Sequence, residues 1–134
     1  MPTSAVELLT LAVRFSRLIL ARSHDPSVDH LIRVITTHPM VYTGQGRIIG
    51  TVIDRSQGSL FGKCGAEGVY AIAWPSGESL ALKIADGSPR AAVPVMVRAA
   101  RELDLPFPDV WDCVNPGGFA DVHAPDSPHR SADH

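Results

Sequence analysis

Apolar residues recur at Leu8, Leu11, Phe15, Leu18 and Ile19, three or four positions apart, while Arg14, Arg17 and Arg22 fall between them. That period is helical. Ser4-Ala5-Val6-Glu7 has the S-x-x-E form of a capping box, so the pattern predicts an amphipathic helix over residues 4–22. Asp25-Pro26-Ser27 reads as a break. Val28, Leu31, Ile32 and Ile35 then predict a shorter helix that stops before Pro39. Residues 42–47 read as a glycine-bearing loop, and the apolar run 48–53 fits either strand or helix.

Three strands are predicted next, over 59–63, 69–74 and 80–85, with Pro75-Ser76-Gly77 as the turn between the second and third. Short connections between successive strands imply antiparallel pairing. Asp86-Gly87 ends the last strand, and Ser88-Pro89 reads as a cap followed by proline in the first helical turn. Val93, Val97, Ala100 and Leu103 carry a closing helix to Leu105, in which Pro94 must lie near the start or cause a kink. The order predicts an α+β fold: a small antiparallel sheet with covering helices. One domain over 1–120 and a disordered polar tail over 121–134 are expected.

Composition narrows the function classes. A 45% hydrophobic and 19% charged chain suits a folded domain. The net charge of −2 offers no basic surface for nucleic acid. Glu7, Arg14 and Arg17 interrupt the first apolar stretch, which argues against a membrane span. No basic region precedes that stretch, which argues against a secretory signal. Cys64 and Cys113 form no CxxC pair, and a reduced, cytoplasmic setting is the default expectation. Among the histidines only His24 and His30 approach a ligand-like spacing, and no metal site is expected within the chain.

The most distinctive run is Gly62-Lys63-Cys64-Gly65-Ala66-Glu67-Gly68-Val69. It resembles the K-x-G-A-E-G-V signature of the bacterial type II L-asparaginases, the Rhizobium-type family. The segment from Leu80-Ala81-Leu82-Lys83 through Asp86-Gly87-Ser88-Pro89-Arg90-Ala91 is similar to a second family stretch. His38-Pro39 with Gly44-Gln45-Gly46-Arg47, and Val114-Asn115-Pro116-Gly117-Gly118, are similar to two more. Four motifs in order are a far more specific signal than any one of them.

The resemblance implies part of a fold like that of serine β-lactamases and penicillin-binding proteins. It implies an amidohydrolase that converts L-asparagine to L-aspartate and ammonia through a serine acyl-enzyme. Lys63-Cys64-Gly65 resembles the K-[TS]-G element that faces the nucleophile in such enzymes. Lys63 would then offer charge to a substrate carboxylate, with Gly65 leaving room for close approach. Glu67 would support the site, and Arg47 would join Lys63 and Gly65 in binding substrate.

Other elements of the family pattern are absent. No serine is followed three residues later by lysine, and neither S-H-x-G-E nor the C-S-G-K-H that supplies zinc ligands in some relatives occurs. The expectation is therefore a C-terminal half, a fragment inactive alone, with zinc relevant only to full-length relatives. A partner chain or a homo-oligomer would complete it around L-asparagine. The alternative is a non-catalytic remnant or a small binding or interaction module. Ordinary readings stand beside each residue: Lys63 as a strand-edge lysine that guards against aggregation, Glu67 as a turn residue, Arg47 as a cap or a solvated side chain. Cys64 and Cys113 read as packing residues, Lys83 as solvent-facing or paired, and Asp86-Gly87 as turn chemistry.

Overall fold

A computed structural model describes residues 6–114. The Ser4 cap, the Cys113 side chain, the motif at 114–118 beyond its first residue, and the tail over 121–134 lie outside the described residues. Helix α1 spans Leu8–Ala21 and starts after Glu7, which makes no side-chain cap. Helix α2 spans Pro26–Thr37, two residues earlier than its apolar period predicts. The cause is Asp25: its carboxylate accepts from the amides of Ser27 at 2.9 Å and Val28 at 3.3 Å. Pro26 occupies the first turn, where its missing N–H costs nothing. The short α3, Pro39–Thr43, follows directly.

The ambiguous apolar run is helical. Helix α4 covers Ile48–Arg55 and buries Ile49, Val52 and Ile53 on one face. Strands β1 (Phe61–Cys64), β2 (Val69–Ala73) and β3 (Ser79–Lys83) form an antiparallel meander in sequence order. Phe61 pairs with Ala73, Cys64 with Tyr70, and Tyr70 in turn with Leu82. A 3-10 turn at Pro89–Ala91 leads into α5, Ala92–Glu102, which ends three residues before the predicted limit. Pro94 is the third residue of α5, in the first turn, where no kink results. A final turn, α6, covers Trp111–Val114. The fold is α+β, as the order of elements predicts.

The sheet is covered on both faces by helices of this chain. Alternation along the strands divides the side chains. Phe61 and Ala73 face α1 and α2, where they pack with Ile19, Ile32 and Ile35, and with the half-buried Phe15 and Tyr42. Tyr70, Ile72, Trp74 and Leu82 face α4 and α5, where Ile49, Val52, Ile53, Val93 and Met96 complete the larger core. Each fully buried aliphatic side chain there stabilises the fold by about 1.5–3 kcal/mol. Trp74 donates from Nε1 to the Pro106 carbonyl at 2.8 Å, which ties the segment after α5 to the sheet. Two hydroxyls clip α1 to the β2–β3 hairpin: Ser16 donates to the Gly77 carbonyl at 2.6 Å, and Ser79 to the Ala12 carbonyl at 2.7 Å.

Candidate functional site

The connection from β1 to β2 is a tight loop. The Gly65 amide donates to the Val69 carbonyl at 2.8 Å and closes it. Inside it Glu67 adopts a left-handed backbone, φ 59° and ψ 37°. That conformation is costly for a residue with a side chain and persists where its surroundings hold it. The surroundings come from β3. Lys83 donates from Nζ to the Glu67 carbonyl, and to the Ile84 carbonyl at 2.9 Å. The Ile84 amide donates to the Gly68 carbonyl at 2.9 Å.

Gly68 itself has φ +74°, and a Cβ on it would stand 2.9 Å from the Gly87 Cα. The two loops thus meet backbone to backbone. Gly87 lies in the turn after β3, whose amide donates to the Ile84 carbonyl at 3.0 Å. The Asp86 carboxylate accepts from the Ser88 amide at 2.9 Å, so Asp86-Gly87 serves as turn chemistry.

These loops, together with the start of α4, enclose an open cavity of about 340 Å³. Its lining comes from three stretches of chain: Gly46 to Ile48, Cys64 to Gly68 with Tyr70, and Gly87 with Pro89 and Arg90. Arg47 is the residue just before α4, and the side chains of both Arg47 and Glu67 are exposed. Neither makes an ion pair or a side-chain hydrogen bond with another described residue. Arg90 spends only its Nε, on Ser88 Oγ at 3.3 Å. Two guanidinium groups and one carboxylate are therefore left to meet solvent or a ligand.

Tyr70 is 6% exposed, and its hydroxyl has no hydrogen-bond partner among the described residues. No buried polar side-chain atom of the described residues is unpartnered, so this hydroxyl reaches solvent, and Tyr70 is one of the residues that line the cavity. Burial pushes the Tyr70 hydroxyl above its ordinary value of 10.0; neighbouring Cys64 adds to the rise and Arg47 opposes it. Arg47, Tyr70 and Arg90 thus line one cavity together with Glu67. Such a set can bind a small zwitterion: guanidinium to carboxylate, carboxylate to ammonium, phenol to either.

Of the expected site residues, Arg47, Gly65 and Glu67 come together here. Lys63 does not. It precedes Cys64 on β1, so it faces the other side of the sheet. There its ammonium stands 4.6 Å from the centre of the Tyr42 ring, a cation–π contact. Burial, and then Cys64, raise the Tyr42 hydroxyl above 10.0. Tyr70 and Arg90 belong to the cavity although sequence reasoning did not nominate them. Arg90 stood inside the quoted Ser88-Pro89-Arg90-Ala91 stretch, which was the available signal. Tyr70 had only the pattern of a strand.

Among the described residues, no three His, Cys, Asp or Glu side chains come together as a metal site. No helix among those residues is long and apolar enough to cross a membrane. Comparison with known proteins adds a family: a model described as L-asparaginase II matches residues 1–116. No curated protein matches the chain.

Proposed function

The chain belongs to the L-asparaginase II family, and from that membership we propose that its cavity is the wall of an amidohydrolase site that holds the amino-acid end of L-asparagine. The Arg47 guanidinium takes the substrate α-carboxylate through a two-pronged contact. Glu67 takes the α-ammonium, and the Tyr70 hydroxyl bonds to whichever polar atom lies over β2. Gly65 keeps the rim free of a side chain. Lys63 is not a substrate contact in this reading, because its ammonium is engaged over Tyr42 on the opposite face.

The reaction would be hydrolysis of the side-chain amide to L-aspartate and ammonia. It needs an activated hydroxyl, and no serine of this sequence is followed three residues later by lysine. The chain is read as the binding half of a serine β-lactamase-like site in the cytoplasm, inactive alone. The nucleophile would come from another polypeptide segment. The observation that carries the reading is one cavity lined by Arg47, Glu67 and Tyr70, whose side chains have no hydrogen-bond or ion-pair partner among the described residues.

Titration calorimetry of the chain tests it. L-Asparagine and L-aspartate should bind saturably, and Arg47→Ala should weaken both by about tenfold or more, the loss of one charge-assisted contact. No ammonia should be released. Absence of saturable heat would end the proposal, and ammonia from the chain alone would end the claim of inactivity.

A second reading, a non-catalytic interaction module, is favoured by one feature. Leu9, Val13 and Leu20 leave apolar surface exposed on α1, with Leu20 lying beside Gly77 of the β2–β3 hairpin. It predicts cooperative unfolding of a self-associating chain that ignores amino acids. Sedimentation velocity with and without L-aspartate separates the two readings.

A further inference from the structure

Cys64 is a free thiol, half-buried at the end of β1, and it lines the cavity between Arg47 and the Glu67 loop. A cysteine alone would say little. The second observation is its cross-strand neighbour, Tyr70, on the same sheet face. Tyr70 is more than nine-tenths buried, lines the same cavity, and its hydroxyl reaches solvent with no hydrogen-bond partner among the described residues. Arg47 and Arg90 line the same cavity, neither in an ion pair with a described residue, so its two guanidinium groups outnumber the one carboxylate of Glu67. The cavity is at the small end of the range for ligand pockets, which suits an amino-acid-sized guest.

We propose that Cys64 is a capture site for small carboxylate-bearing disulfides of the cystine class, steered to the thiol by Arg47 and Arg90. The Cys64 thiolate attacks one sulfur of the disulfide. A protein–ligand S–S bond forms as the reagent's own S–S bond breaks, and the electron pair leaves on the second half, which takes up a proton as a free thiol. Cys64 is oxidised and the departing half is reduced; its proton passes to solvent. The retained half keeps its carboxylate against the arginines and its polar atoms against the Tyr70 hydroxyl. Selectivity comes from where the carboxylate is held, because docking raises the local concentration of the disulfide at the sulfur. The proposal shares its cavity with the amino-acid site above but does not require that site to be catalytic. An adduct on Cys64 would occupy the same space and exclude an amino acid.

The test uses the full chain with Cys113→Ser, so that the mass of any adduct reports on Cys64. Three disulfides of similar size are compared by intact-mass kinetics: dithiodipropionic acid (anionic), hydroxyethyl disulfide (neutral) and cystamine (cationic). The anionic reagent should react at least tenfold faster than the cationic one. That ranking should collapse in Arg47→Ala/Arg90→Ala, and with rising salt. Tyr70→Phe should shorten the lifetime of the adduct towards added thiol while leaving the charge ranking in place. Equal rates for the three reagents, a ranking unchanged in the double variant, or no adduct at Cys64 would each overturn the proposal. Saturable L-aspartate binding beside equal reagent rates would sink this inference and leave the amino-acid site standing. Charge-ranked labelling without L-aspartate binding would do the reverse.

Discussion

Lys83, on β3, holds the backbone carbonyl of Glu67 from across the sheet, and its ammonium also caps the carbonyl of Ile84. A side chain read from sequence as merely solvent-facing or paired thus fixes the backbone of a residue in the cavity. Lys83→Met removes both contacts and leaves the left-handed Glu67 without its brace. The expected cost is about 1 kcal/mol for a solvent-accessible charged hydrogen bond, measured by urea unfolding. A severalfold loss of L-aspartate affinity should accompany it, because the Glu67 carboxylate is no longer aimed.

Gly68 and Gly46 share the same φ of +74° but differ in their surroundings. An alanine Cβ at 68 would meet the Gly87 Cα at 2.9 Å, which is backbone and does not yield, while at 46 it meets nothing within 4 Å. Gly46→Ala should therefore cost only the left-handed penalty, about 1 kcal/mol. Gly68→Ala should cost about 2 kcal/mol or more. Paired denaturation curves decide, and equal losses would mean that the two loops are not in contact.

Trp74 is buried at 1% exposure and donates to the Pro106 carbonyl. Trp74→Phe keeps an aromatic ring but leaves a smaller volume and an acceptor without its donor. A loss of about 2 kcal/mol is expected. Hydrogen exchange should show the segment after α5 loosening before the sheet does.

Asp29 accepts from Arg33 at 2.5 Å and Arg22 at 2.9 Å. The Arg33 hydrogen bond, followed by that from Arg22, holds its carboxyl below the ordinary 3.8. A carboxylate depressed in the folded state contributes stability that is present above the unfolded value and lost as pH falls through the folded one. The wild type should therefore lose stability below about pH 4 more steeply than Asp29→Asn. Melting temperatures taken between pH 5 and pH 2 check the sign.

Much of the fold was legible because its helices carry their period openly, as α1 does with Leu11, Phe15 and Leu18. What escaped was decided by tertiary context. The apolar run from Ile48 could not choose between strand and helix, since within 48–53 only Thr51 is polar and the exposed Asp54 and Arg55 come after it. The Asp25 cap was hidden because Asp-Pro-Ser looks the same in a break as at a helix start.

For the site, the loop from Gly65 to Gly68 and the nearby Arg47 were found by motif. The direction of Lys63 was not. Both faces of the sheet are covered, so the sequence around β1 has no polar–apolar alternation to say which residue faces the cavity. Cys64 faces it and Lys63 faces Tyr42. Tyr70 was invisible for the same reason, being one more apolar-looking position in a strand buried on both sides.

The two hydroxyl clips between α1 and the hairpin bear on how the molecule would yield to force. Ser16 and Ser79 bridge elements more than sixty residues apart in the chain. Tension applied at the amino end would reach both clips through α1. Release of that helix would strip Phe15, Leu18 and Ile19 from the smaller core and leave Phe61 and Ala73 to Ile32 and Ile35 of α2.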